Sequence, residues 1–115
     1  MGVQSECKPG KNIIMCGDLN SNIIWDKKSH SYNHIDFVKD LETKNIVSLY
    51  HQQENEPQGT ESKKTFYMHR NLEKGYHIDY VFLSEHFLPS AKLTIADPNF
   101  WLAHSDHMPV VFKVG

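Results

Sequence analysis

This sequence is short of cysteine, lacks any long apolar run and carries no basic excess, and each shortage removes a class of protein. Two cysteines in 115 residues, Cys7 in a polar leader and Cys16 in an apolar stretch, indicate neither a disulfide framework nor a zinc site. No apolar run approaches the length of a membrane span and no signal-peptide pattern opens the chain. The expectation is a protein of the reducing cytoplasm with no membrane partner. Met1-Gly2 suggests a myristoylation start, but Glu6 stands where that motif wants Ser or Thr. A formal charge of −2 argues against a broad basic surface for nonspecific nucleic-acid binding. It leaves room for a phosphate-bearing substrate held locally by a metal ion. Internal repeats and low-complexity segments are absent.

What is present describes one soluble globular domain: 39% hydrophobic and 23% charged residues, in a length sufficient for a single core. Eight histidines are many for this size, and most read as surface or hydrogen-bonded groups. Residues 1–11 read as a leader or linker and 12–115 as the domain. The chain is organised around Ile13-Ile14-Met15-Cys16-Gly17-Asp18-Leu19-Asn20. Four apolar residues bounded by Gly17 predict a strand covered on both faces, as in an α/β protein. Asp18 and Asn20 would then lie beyond its carboxyl end, where such sheets meet ligands. Residues two apart on an extended segment point the same way, so this acid and amide could address one ligand together. A plain turn is the competing reading.

Ser21 to Tyr32 reads as a loop anchored by Ile23-Ile24-Trp25. Asn33 can cap a helix with Phe37, Val38 and Leu41 on one face, Asp36 in its first turn and Lys44 in its last, stopped by Asn45. Ile46 to Leu49 fits a short strand or a helix start. Gln52 to Lys64, with Pro57 and Gly59, predicts an exposed loop. Thr65 to Met68 and Tyr76 to Leu83 predict two strands of a hairpin turned at Arg70 to Gly75. Ser84 to Phe87 suits one helical turn before Pro89, and Ala91 to Ala96 another strand, ended at Asp97-Pro98-Asn99. Phe100 to His107 reads as a loop, and Met108 to Val114 as a buried closing strand with Pro109 near its start.

Two further stretches carry chemistry. His77-Ile78-Asp79-Tyr80-Val81-Phe82 sets one carboxylate in an apolar, aromatic strand, where it is costly unless paired. Ser105-Asp106-His107-Met108-Pro109 offers an acid and an imidazole before the last strand. A carboxylate fixes an imidazole's tautomer and stabilises its charged form, so His107 is the natural partner for Asp79. Asp106 would remain free to bind a cation. Each piece alone has a bland alternative: backbone or tyrosine bonds for Asp79, a solvated turn for Asp106-His107.

Gly17-Asp18-Leu19-Asn20, Ile78-Asp79-Tyr80 and Ser105-Asp106-His107-Met108-Pro109, in this order and with these gaps, resemble the C-terminal motifs of the endonuclease/exonuclease/phosphatase superfamily, the deoxyribonuclease I-like fold. Thr65-Phe66-Tyr67 and Gly75-Tyr76-His77-Ile78-Asp79 resemble segments of its apurinic-site endonuclease and related bacterial branches. The resemblance implies an α/β (α+β) architecture: half of a four-layer sandwich, with a mostly antiparallel mixed sheet flanked by helices. It implies a metal-dependent phosphoesterase of phosphodiesterase or nuclease type. His107 would meet the scissile phosphate as acid/base or electrostatic stabiliser, oriented by Asp79. Asp18 would position the attacking water, and Asn20 would hydrogen-bond phosphate oxygens. Asp106 would help hold Mg²⁺, with Mn²⁺ as alternative. Trp25, Tyr67, Tyr76 and Trp101 could stack on a substrate base, although such aromatics are more often core or loop anchors.

The family's domain is about twice this length, so the chain resembles its second half alone. The first-half glutamate that binds metal has no counterpart, since Glu54, Glu56 and Glu61 fall in the polar loop. His77 stands where apurinic-site endonucleases usually carry Arg. An isolated half would be weakly active or inactive, with poor metal affinity, and would expose an apolar sheet face. Its partners would be a phosphate-ester substrate, nucleic acid included, and either the missing N-terminal half or a second copy stacked on that face. Two other classes compete: a noncatalytic module that keeps the fold and pairs through its surface, and a histidine-rich metal-binding protein.

Overall fold

The computed structural model describes residues 11–115; the leader, with Cys7 and the Met1-Gly2 start, lies outside the described residues apart from Lys11. The chain folds as a small α+β domain with antiparallel sheets and a few helices. Strand β5 (Asp79–Ser84) is its centre, flanked by β1 (Ile14–Asp18) and β2 (Ile46–Ser48), both antiparallel to it. Two hairpin sheets complete the fold: β3 (Phe66–Tyr67) with β4 (Gly75–Tyr76), and β6 (Ala91–Ile95) with β7 (Val110–Val114). The helices are α1 (His34–Glu42), α2 (Leu49–Glu54) and the short α3 (Pro98–Trp101).

Alternation along β5 divides the core in two. Tyr80 and Phe82 point toward α1, where they pack with Val38, Leu41 and Ile46. Val81 and Leu83 point the other way, onto Val47, Leu49, Tyr50 and Leu93, with Val110 and Phe112 of β7 alongside. A strand apolar on both faces is thus β5 and not β1. Among the described residues, no helix is long and apolar enough to cross a membrane.

Several expectations are corrected. Strand β1 is exposed along its whole length, Cys16 included; it is an edge strand that pairs with β5 alone. Helix α1 does begin after Asn33, its expected N-cap, and the N–H groups of His34 and Ile35 are taken in addition by Asp26 at 2.8 and 3.0 Å. Asp36 accepts the Asn33 N–H at 2.8 Å, and Asn45 takes a left-handed φ of 61° after the helix ends at Glu42, short of Lys44. Residues 46–49 are both alternatives in succession, a strand whose last residue, Ser48, immediately precedes the first residue of α2. The expected strand from Tyr76 to Leu83 breaks at His77-Ile78 and feeds two sheets. The helical turn after β5 is longer than expected, a 3-10 segment over Glu85–Ser90 that takes in Pro89. Residues 98–101 form α3 instead of a loop, and β7 alternates half-buried and exposed, with Val111 at 65% exposure.

The loop after β1 is anchored by an unexpected residue. Ile24 and Trp25 are exposed, whereas Asn22 is 2% exposed. Its amide donates to the His77 carbonyl at 2.9 Å, to Glu61 Oε1 at 3.2 Å and to the Tyr80 hydroxyl at 3.3 Å. A polar segment is held down here by hydrogen bonds, not by apolar burial.

Candidate functional site

The antiparallel register of β1 and β5 sets Asp18 directly opposite Asp79. Side chains directly opposite one another share a face, and like charges so placed repel unless something lies between them. The imidazole of His107 lies there. Its Nδ1–H donates to Asp79 Oδ2 at 3.0 Å, while Nε2 stands 3.8 Å from Asp18 Oδ2. One donor atom from each of the three falls within 4.8 Å of the others, a grouping able to hold a cation.

His107 is delivered by backbone contacts to the β3–β4 hairpin. Tyr67 N–H donates to the Asp106 carbonyl at 2.8 Å, and Met108 N–H to the Thr65 carbonyl at 2.7 Å. Ser105 Oγ accepts the His107 N–H at 3.0 Å, and the Phe66 ring lies 4.9 Å from the imidazole, centroid to centroid. Thr65 is the hub of this arrangement. Fully buried, it accepts at Oγ1 from the Ile78 and Asp79 N–H groups at 2.9 and 3.1 Å, so one residue fixes both members of the Asp79–His107 pair.

A neutral imidazole that donates through Nδ1 turns a lone pair at Nε2 toward Asp18. Two electron-rich groups 3.8 Å apart then want a shared electropositive partner: a water, a cation or a substrate proton. Asp18 Oδ1 also accepts the Asn20 N–H at 2.8 Å. Asn20 has a left-handed φ of 50°, so the alternation argument that aligned its side chain with that of Asp18 does not apply. Instead the carboxylate and the turn brace each other.

The remaining site residues are placed as follows. Asp106 is partly buried next to His107, and its carboxylate is not among the three converging donors. Trp25 and Tyr76 pair their rings at 5.2 Å. Trp101 packs edge-on against Phe100 at 5.1 Å, both exposed, on the segment leading to Ser105. Arg70 at the hairpin tip reaches the Ala103 carbonyl at 3.4 Å. For a hard cation the donor set is a partial fit: one of its two carboxylates is already committed to His107, and Mg²⁺ prefers an octahedral oxygen shell.

A second polar cluster escaped sequence reasoning. Glu61, expected in an exposed loop, is 3% exposed. It accepts from His51 Nε2 at 2.6 Å, from the Gly59 N–H at 2.9 Å and from Asn22. Burial alone would raise its pKa, but the bonds from His51, Gly59 and Asn22 outweigh that and hold it at about 2. His77 is 2% exposed; its Nδ1–H donates to the Lys63 carbonyl at 2.9 Å and its Nε2 has no partner. Burial pushes the His77 pKa down and the Tyr80 pKa up. No local sequence signal marks Glu61; its partners come from three separate segments.

No family model matches this chain, and no curated protein matches it.

Proposed function

We propose that this chain is the C-terminal half of a deoxyribonuclease I-like domain and carries part of the site of a metal-dependent phosphoesterase. The observation that supports this best is the imidazole of His107 seated between two facing carboxylates, 3.0 Å from Asp79 and 3.8 Å from Asp18. Three ordered motifs, far apart in the chain, supply these groups.

In this reading Asp79 holds His107 in one tautomer, so that Nε2 faces the substrate. Asp18 accepts a hydrogen bond from the attacking water and takes its proton as the oxygen bonds to phosphorus. Protonated at Nε2, the His107 imidazolium, balanced by Asp79, stabilises the charge gathering on the phosphoryl oxygens and passes that proton to the departing alkoxide. Asn20 donates to a non-bridging oxygen. Mg²⁺, with Asp106 among its ligands, would neutralise phosphoryl charge when bound. Trp25, Tyr76 and Trp101 border the substrate path. An exposed β1, and an apolar groove lined by Cys16, Val81, Val110 and Phe112 beside Asp79, fit a domain completed by another half or by a second copy. The same observations favour one alternative, a noncatalytic module that pairs through this face.

The test is hydrolysis of bis-p-nitrophenyl phosphate, with and without Mg²⁺, by the chain alone and joined to its natural upstream sequence. The joined protein should be active with Mg²⁺ and lose about 10²–10⁴-fold on His107→Ala. A joined protein whose activity survives His107→Ala undiminished would overturn the assignment. Light scattering that shows the isolated chain monomeric at high concentration would remove the second-copy arrangement.

A further inference from the structure

A second constellation lies behind the sheet edge formed by β2. Ser48 stands at the junction of β2 and α2, and His51 follows three residues later, in the first turn of α2. His51 Nε2–H donates to Glu61 at 2.6 Å, which fixes the tautomer and leaves Nδ1 as an acceptor. The hydroxyl of Ser48 lies 2.6 Å from that nitrogen. This is the connectivity of hydroxyl, imidazole and carboxylate that activates a serine nucleophile, with the two ring nitrogens exchanged.

A fourth group completes it. Gln58 Nε2 lies 3.3 Å from the same His51 Nδ1, so its amide borders the serine hydroxyl. His34 Nε2–H donates to Gln58 Oε1 at 3.0 Å, which turns the amide N–H₂ toward His51. A side-chain amide so fixed can donate to an oxyanion formed at an attacked carbonyl. Ser48, His51 and Gln58 line a cavity of about 280 Å³ together with Val38, Glu42 and Glu56. That volume suits a small ligand. Two carboxylates on the rim repel phosphates and other anions. The Glu56 carboxylate is held at about 2 by bonds from the Ser62 hydroxyl, the Tyr50 hydroxyl and the Ser62 N–H, so it is charged at neutral pH.

We propose that Ser48, His51 and Glu61, with Gln58 as oxyanion donor, form a nucleophilic site for small uncharged or cationic carboxylic esters. Ser48 Oγ bonds to the carbonyl carbon as its proton passes to His51 Nδ1. The carbon–alkoxide bond then breaks, and that proton leaves with the alcohol. Water, deprotonated by His51, releases the acid and restores Ser48. No metal takes part, and the site does not depend on the phosphoesterase reading.

The test uses the isolated chain in EDTA: intact-mass and peptide mapping after a fluorophosphonate probe, and p-nitrophenyl acetate turnover. One probe should attach per chain, at Ser48, and Ser48→Ala should abolish both labelling and the p-nitrophenol burst. Gln58→Ala should keep circular dichroism unchanged and lower the labelling rate at least tenfold. A folded chain left unlabelled, or label found elsewhere and retained in Ser48→Ala, would show that the network serves stability alone.

Discussion

Glutamine at position 61 isolates what the buried carboxylate contributes. Glu61 Oε2 receives His51 and the Gly59 N–H, and Oε1 receives Asn22. The Gln carbonyl can occupy one of those positions. Placed at Oε2 it retains two bonds without their charge assistance, and its N–H₂ then faces the Asn22 amide, donor against donor. Bonds to charged groups contribute roughly 1.5–3 kcal/mol and an unmatched buried donor costs about 1–3 kcal/mol. Because Asn22 keeps the His77 carbonyl and the Tyr80 hydroxyl as acceptors, we expect a loss of about 2 kcal/mol for Glu61→Gln at pH 7. That corresponds to a fall in Tm of roughly 8 °C for a domain of this size. The sign with pH follows from linkage. The folded pKa of about 2 lies below the ordinary 4.5, so the contribution is full above 4.5 and lost as pH falls toward 2. Urea unfolding of both proteins, followed by circular dichroism at pH 7 and pH 3, checks this. The gap should narrow at the lower pH; equal stability at pH 7, or an undiminished gap at pH 3, would refute the reasoning.

Two other substitutions probe the frame. His77 is buried with a lowered pKa, so below its ordinary 6.5 the unfolded chain binds more protons and stability falls with acid; His77→Phe should flatten the slope of stability just below pH 6.5, whatever its baseline, as read from urea midpoints. Leu83, with no exposed surface, joins the β5 core to β6 and β7; Leu83→Ala should cost about 2–5 kcal/mol by denaturant unfolding.

The Asp79–His107 contact could be read from sequence on energetic grounds, although the two residues lie far apart in the chain. A carboxylate in an apolar strand requires a partner, and an imidazole at the mouth of the closing strand offered one. Helix α1 and the β3–β4 hairpin were legible because caps, periodicity and turn residues act over a few positions. Burial of β1 was not. Ile13 to Cys16 has the composition of a covered strand, but covering depends on what packs against it, and α1 and β7 flank β5 instead. Glu61, Asn22 and Ser48 were also hidden. Glu61 and Asn22, as polar residues between predicted elements, look like loop, and only the folded chain brings them onto His51 and His77; Ser48 lay in a segment read as a short strand or helix start, and nothing there marked its contact with His51. Asn20 was misread by assuming that alternation continued past Asp18, where the backbone turns left-handed.

The most direct check on the convergence of Asp18, Asp79 and His107 is the imidazole itself, read by ¹⁵N NMR on the folded chain. His107 should be the Nδ1–H tautomer when neutral, its ring-nitrogen shifts should move on Asp79→Asn, and Nε2 should respond to Asp18→Asn. A His107 in the Nε2–H form, indifferent to both substitutions, would contradict the site.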